Sequence, residues 1–165
     1  MEFKIKERIL FEVDLERKKN RRKNIISLIR NWIKTDMIEN GESKNLDLKR
    51  YKSENMPVSL YPIFSASLSN NKIIGACICE LYGEGLLRID NLIVRKEYRR
   101  QGIGLKLVSN VVDYAKENRI YNIQCISLSI NKESKKFLKK AGFRKVGKLR
   151  RYVGKKDYYL WEYLP

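Results

Sequence analysis

Apolar residues recur along this chain with two different periods. Over residues 103–117 they fall three and four apart, at Ile103, Leu107, Val108, Val111, Val112 and Ala115, which is one face of a helix. Just upstream, residues 86–94 (LLRIDNLIV) form an apolar run of strand character. The same contrast recurs downstream. Residues 123–128 read as a strand, Asn131 as an N-cap, the lysine-rich stretch after it as a short helix, and Gly142 as its C-terminal stop, with the next strand starting at Phe143.

Further strands are expected at 3–13, 63–68, 73–81, 144–153 and 157–164, and a helix at 24–37 with Ile25, Leu28, Ile29, Trp32 and Ile33 on one face. Residues 43–62 are polar and irregular, with Pro57 and Pro62 marking a loop. Turns are expected at Asn70-Asn71 (a tight hairpin), at Gly83-Glu84-Gly85 and at Gly154-Lys155-Lys156. With no repeat and no low-complexity linker, the alternation describes one α/β domain spanning residues 1–165.

Composition narrows the chemistry. At 165 residues and 43% hydrophobic, the chain can bury a sizeable core. Its apolar runs are too short to cross a bilayer, and its start alternates charge with apolar residues, unlike a signal peptide. Three cysteines without a CxxC motif fit reduced thiols in the cytoplasm. The absence of histidine removes the commonest metal ligand and general base, so neither a metal site nor a Ser-His-Asp hydrolase is expected.

The junction between the 86–94 strand and the following helix reads Arg99-Arg100-Gln101-Gly102-Ile103-Gly104. Two glycines where a strand gives way to a helix can be a plain turn. They can equally expose unpaired N–H groups at the positive end of a helix dipole, a site for phosphate oxygens, with no Cβ to block the approach. A dinucleotide fingerprint is excluded because Leu107 stands where its third glycine belongs. A P-loop is excluded because no Gly-Lys pair is followed by Ser or Thr.

Together, Arg99-x-x-Gly102-x-Gly104 and the Asn131 to Phe143 segment resemble the pyrophosphate loop and the Asn…Phe-Tyr-x-x-x-Gly-Phe segment of the GNAT superfamily of N-acetyltransferases. Residues 72–164 carry the resemblance as an acetyl-CoA-binding core; residues 1–70 would be a variable acceptor-side region. The resemblance implies an α+β fold with a mixed, mostly antiparallel sheet flanked by helices, and direct transfer of acetyl from acetyl-CoA to a primary amine.

In that reading backbone groups of Leu92, Ile93 and Val94 hold the pantetheine and supply an oxyanion donor. Arg99, Arg100, Gln101, Gly102, Ile103, Gly104 and Leu105 form the pyrophosphate loop. Asn131, Ser134 and Phe137 complete the cofactor site. Asp90 stands where many members carry a general-base glutamate; it is either that base or a carboxylate satisfied by a neighbour such as Arg88. The other carboxylate position of some relatives is Ile126. The usual general-acid tyrosine is replaced by Leu138, leaving water, Tyr152, Tyr158 or Ser134 to protonate the CoA thiolate, or an inactive CoA-binding protein.

A formal net charge of +17 adds a further expectation. Codon bias toward Lys, Asn and Ile would raise Glu and Asp as well, so it does not explain the imbalance. Residues 132–156 carry twelve basic residues and one acid, and residues 17–23 six basic residues in seven. Such charge attracts anions and disfavours polycationic acceptors. The acceptor would be a small-molecule amine, a peptide N-terminus or an aminoacyl-tRNA; an anionic partner, a basic RNA-binding module and a homodimer stay open, and a membrane partner is not expected.

Overall fold

Seven strands make one mixed sheet in the computed structural model, which describes residues 2–11, 60–70, 72–82 and 85–165. They are β1 (Lys4–Phe11), β2 (Leu60–Ser67), β3 (Ile73–Tyr82), β4 (Leu86–Val94), β5 (Asn122–Leu128), β6 (Arg144–Val153) and β7 (Lys156–Tyr163). The spatial order is β1-β2-β3-β4-β5-β7-β6, and only β4 and β5 run parallel. That parallel pair requires a crossover, and helix α1 (Ile103–Glu117) supplies it. A second helix, α2 (Lys132–Lys140), joins β5 to β6.

The face of α1 read from its period is the one that is buried: Ile103, Leu107, Val108, Val111, Val112 and Ala115 lie in the core with β-strand residues Phe64, Ile74, Leu87 and Ile123. Tyr114 joins them, its ring edge-on to Phe64 at 5.8 Å. A Cβ on Gly75 of β3 would come within 3.2 Å of Ile103 and 3.3 Å of Leu107. The small residue therefore sets how closely the first turns of α1 approach the sheet. Trp161 is almost completely enclosed on β7, and its indole N–H donates to the Ser127 hydroxyl at 2.8 Å.

Helix α2 ends as its composition suggests. Gly142 adopts φ +91°, the Phe143 N–H donates to the Leu138 carbonyl at 2.9 Å, and the Gly142 N–H donates to Lys139 at 3.1 Å. This pair of bonds is a Schellman closure. Leu138 and Phe143, at its two ends, both belong to the core.

Several boundaries differ from expectation. The segment 43–62 was read as loop to its end, yet β2 starts at Leu60 and contains Pro62. Proline is tolerated there because β3 pairs with β2 only from Ile63 onward, leaving one flank of Pro62 unpaired. The Asn70-Asn71 hairpin is longer than a two-residue turn: β2 ends at Ser67, β3 begins at Ile73, and the Leu68 N–H closes the loop on the Lys72 carbonyl at 3.0 Å. Conversely, the last turn is shorter, since Lys156 already pairs with Val153. Gly154 and Lys155 have φ +53° and +61°, the left-handed pair of a tight hairpin. Strand β7 ends at Tyr163, and residues 12–13 of the expected first strand lie outside the described residues. The expected helix 24–37, the basic run 17–23 and Pro57 lie outside the described residues.

Replacing Gly142 with alanine tests the closure of α2. A Cβ there would stand 2.9 Å from Tyr163 Cε2 in a left-handed backbone conformation. The expected loss is about 1–3 kcal/mol, read as a melting temperature several degrees lower by scanning calorimetry. An unchanged melting temperature would show that the turn relaxes freely.

Candidate active site

Parallel pairing of β4 with β5 runs from Leu86↔Asn122 to Ile89↔Cys125 and goes no further. Beyond that point β4 continues to Val94 along β3, and β5 continues to Leu128 along β7. The two strands therefore part, and a gap opens between residues 91–94 and residues 126–128.

Asp90 stands where they part. On β3, Cys79 pairs with Ile89 and Ile78 with Asn91, so Asp90 is the extra residue of a β-bulge. The bulge also shifts the in–out alternation of the strand by one residue. Leu87 and Ile89 face the core before it, while Leu92 and Val94 pack against the core after it.

The backbone of β4 beyond the bulge divides between the two sides. The Arg95 N–H donates to Ile74 at 2.9 Å, which makes that a hydrogen-bonded pair of the antiparallel ladder. Alternation then directs the N–H and C=O of Ile93 to β3, and those of Leu92 and Val94 into the gap. The Val94 carbonyl is already held there by Arg99 Nε at 2.9 Å.

Helix α1 begins beside the end of β4. Gly102 is its N-cap with φ +79° and makes no side-chain cap bond. The first helical bond is from the Lys106 N–H to the Gly102 carbonyl, so the N–H groups of Ile103, Gly104 and Leu105 precede any partner within the helix. Arg100 also has positive φ (+63°), and its guanidinium pairs with Glu133 on α2. Gln101 Nε2 rests 3.5 Å from the Glu97 carbonyl.

The two loop glycines do different things. A Cβ on Gly102 would meet nothing within 4 Å, so glycine there serves the backbone conformation and leaves an open face. A Cβ on Gly104 would stand 3.1 Å from the Phe137 ring, so glycine at this position also makes room for a side chain from α2. Phe137, expected in the cofactor site, fills this space. Asn131 caps α2 by accepting from the Ser134 N–H at 3.0 Å. Leu138 is buried in the core.

Asp90 belongs to a charged cluster that spans two strands. Its Oδ1 accepts from Arg88 Nε at 2.6 Å, and Arg88 Nη2 donates to Glu80 Oε2 at 3.1 Å. The same Glu80 oxygen accepts from the Tyr82 hydroxyl, and the Arg88 guanidinium lies 4.3 Å over the Tyr82 ring. Only 11% of the Asp90 side chain and 12% of that of Glu80 are exposed. Burial raises the Asp90 carboxyl to about 6, against the lowering effect of Arg88; Glu80 pushes it the same way as burial. Burial and the bond to Glu80 likewise push the Tyr82 phenol well above its ordinary value.

Glu80 and Tyr82 were not singled out from sequence. Their signal was alternation with Cys79 and Leu81, which places them on the face of β3 that meets Arg88 once the hairpin is closed. Tyr158 and Tyr152, the expected substitute acids, are not beside Asp90. Tyr158 is buried on β7, two strands from β4, and the half-exposed Tyr152 lies on β6, three strands away; their rings meet edge-on at 6.0 Å. Cys77, Cys79 and Cys125 are all buried free thiols. No described helix is long and apolar enough to cross a membrane.

Residues 26–143 match the model of the acetyltransferase (GNAT) family. The chain belongs to that family. The GNAT fold extends to solved structures across the whole length. Ard1 from Thermoplasma volcanium superposes with a TM-score of 0.71 at 19% identity, covering 98% of this chain and 97% of that one. A protein assigned as a streptothricin acetyltransferase from Bacillus anthracis, in complex with acetyl coenzyme A, superposes with a TM-score of 0.58 at 24% identity. It matches over 64% of this GNAT chain and 63% of its own. The ribosomal-protein-S18-alanine N-acetyltransferase of Escherichia coli gives 0.56 at 18% identity, over 62% and 67%. No curated protein matches.

The raised carboxyl makes a signed prediction about stability. A carboxyl whose folded value exceeds its unfolded one favours folding while protonated, and that advantage is lost as pH rises from about 4 through about 6. The difference in urea unfolding free energy between the protein and its Asp90→Asn variant should therefore move against the protein across that window. A difference that is flat with pH would show that Asp90 titrates as an ordinary carboxylate.

Proposed function

We propose that this GNAT protein transfers acetyl from acetyl-CoA to a primary amine, with Asp90 as general base. The observation that carries the reading is the parting of β4 and β5 at Asp90, with free N–H groups of α1 at the far end of the same strand. Pyrophosphate oxygens would bind the N–H groups of residues 102–105, where the helix dipole also favours them. Arg99, Arg100 and Gln101 would line that loop. Pantetheine would lie in the gap against the backbone groups of Leu92 and the Val94 N–H, with Asn131 and Ser134 at the start of α2 nearby. Residues 1–70 would contribute to the acceptor side.

The chemical step needs no enzyme nucleophile. Asp90 takes a proton from the acceptor ammonium, directly or through a water. The freed amine nitrogen bonds to the thioester carbon, and the carbonyl oxygen becomes an oxyanion, held by the Leu92 N–H. One such donor contributes about 3 kcal/mol to the transition state. The adduct nitrogen gives its extra proton to water, the C–S bond breaks, and the CoA thiolate leaves. Its thiol is of ordinary acidity, about 8.5, so water can return the proton that Leu138 cannot give.

The acceptor is a primary amine on a small molecule, a peptide or an aminoacyl-tRNA. Alanine termini of a ribosomal protein are the acceptor named for one structural relative, and streptothricin for another. The +17 charge supports an acceptor or partner that is not itself strongly cationic. Burial of Leu138 at the usual acid position supports the rival reading, a CoA-binding protein without turnover.

Calorimetry with acetyl-CoA, followed by an amine panel with detection of free CoA thiol, separates the readings. Micromolar binding with thiol release is expected, and kcat/KM should rise with pH through about 6 as Asp90 loses its proton. Asp90→Asn should lower kcat by about 10²–10⁴-fold without weakening acetyl-CoA binding. Binding without release across the panel would favour the inactive reading. No binding would remove the basis for both.

Gly102→Val offers a separate check. It places a branched side chain in the open space before α1 at a left-handed position, and acetyl-CoA affinity should fall at least tenfold. Retained affinity would mean the phosphates do not approach this turn.

A further inference from the structure

We infer that Arg88 is a positioning residue for Asp90, and that Glu80 and Tyr82 hold Arg88 in place for that task. The inference rests on the reading of Asp90 as the base. Three observations carry it. First, Asp90 is the extra residue of a bulge, where the regular ladder does not fix the direction of the side chain. A second support is therefore needed, and the 2.6 Å bond from Arg88 Nε to Oδ1 provides it.

Second, Arg88 is itself restrained on three sides. Nη2 is bonded to Glu80 at 3.1 Å, the guanidinium carbon lies 4.3 Å over the Tyr82 ring, and the Tyr82 hydroxyl closes the circuit on the same Glu80 oxygen. A guanidinium used through two different nitrogens, with its carbon over an aromatic ring, is held in orientation as well as in charge. Third, the carboxylates of Asp90 and Glu80 are both almost enclosed and act on one another, including through a hydrogen bond. Two buried carboxylates close together cannot both be charged cheaply; the cation between them makes the ionised base attainable.

The other titratable groups around Asp90 leave this balance to Arg88 and Glu80. On β3 the Tyr82 phenol and the Cys79 thiol are both pushed up by burial and stay neutral. On β5 the Cys125 thiol is also pushed up, and the partner of Arg88 is Gln124, which does not titrate. Hence the two charged neighbours act in opposite directions: Arg88 favours the ionised form of Asp90 and Glu80 opposes it.

Opposed effects give a signature that a merely structural contact would not. The experiment is a ¹³C carboxyl titration of aspartate-labelled full-length protein without substrate, with Asp90 assigned by the signal missing from Asp90→Asn. Arg88→Met should move the Asp90 midpoint up by about one unit or more, and Glu80→Gln should move it down by about one unit. Arg88→Lys, which keeps a cation and protects against loss of the fold, should restore most of the displacement. Midpoints that stay put, or that move the same way in both variants, overturn the inference.

In turnover, the acidic limb of kcat/KM should follow the two displacements, with KM for acetyl-CoA unchanged. A carboxyl that moves as described while the limb stays fixed, or while no amine is acetylated, supports the clamp and counts against Asp90 as base. The two readings thus fail separately.

Discussion

One extra residue in β4 governs the geometry of this molecule. With Asp90 inserted, the in–out alternation of β4 shifts by one residue, so Leu92 and Val94 follow Leu87 and Ile89 onto the core. Beyond it the ladder to β5 is not resumed. From this follow the gap between the strands, the backbone groups of Leu92 and Val94 that face it, and the position of the only carboxylate on β4.

The rest of the fold secures that opening from its two sides. On one, β4 remains bonded to β3 through Gly75↔Val94, and α1 is drawn against β3 by the absence of a side chain at Gly75. On the other, β5 keeps its shape because β7 pairs with it as far as Leu128, beyond the point where β4 has left. Trp161 and its bond to Ser127 tie that second half to the core. Helix α2 closes the remaining side by placing Phe137 over Gly104, so the helix end and the gap are held in one fixed relation.

Charge is distributed unevenly around this frame. The cluster at the fork is dominated by buried carboxylates with one arginine between them, while residues 132–156 present mostly lysine and arginine. A carboxyl thus sits in an enclosed site on a strongly cationic protein. Low dielectric and a fixed ion pair set its acidity there, more than the net charge, which water and salt screen at the surface.

The strands at 86–94 and 144–153, the helix face on α1, the Asn131 cap and the Gly142 stop were all legible in the sequence, because each depends on residues within a turn or two of one another. So was the helix start at Gly102, through its glycine. Residues 73–81 were legible as a strand, yet the part played by Glu80 was not. Its partners Arg88 and Asp90 meet it only after a hairpin closes, and the register of that hairpin shifts by one residue at the decisive place. Likewise the contact of Gly104 with Phe137, more than thirty residues on, has no local signal. Local periodicity and capping belong to the chain itself. Pairing register, bulge position and contacts between distant segments arise only when strands and helices compete for the same space, and those decided where Asp90 stands, what restrains it and where the sheet opens.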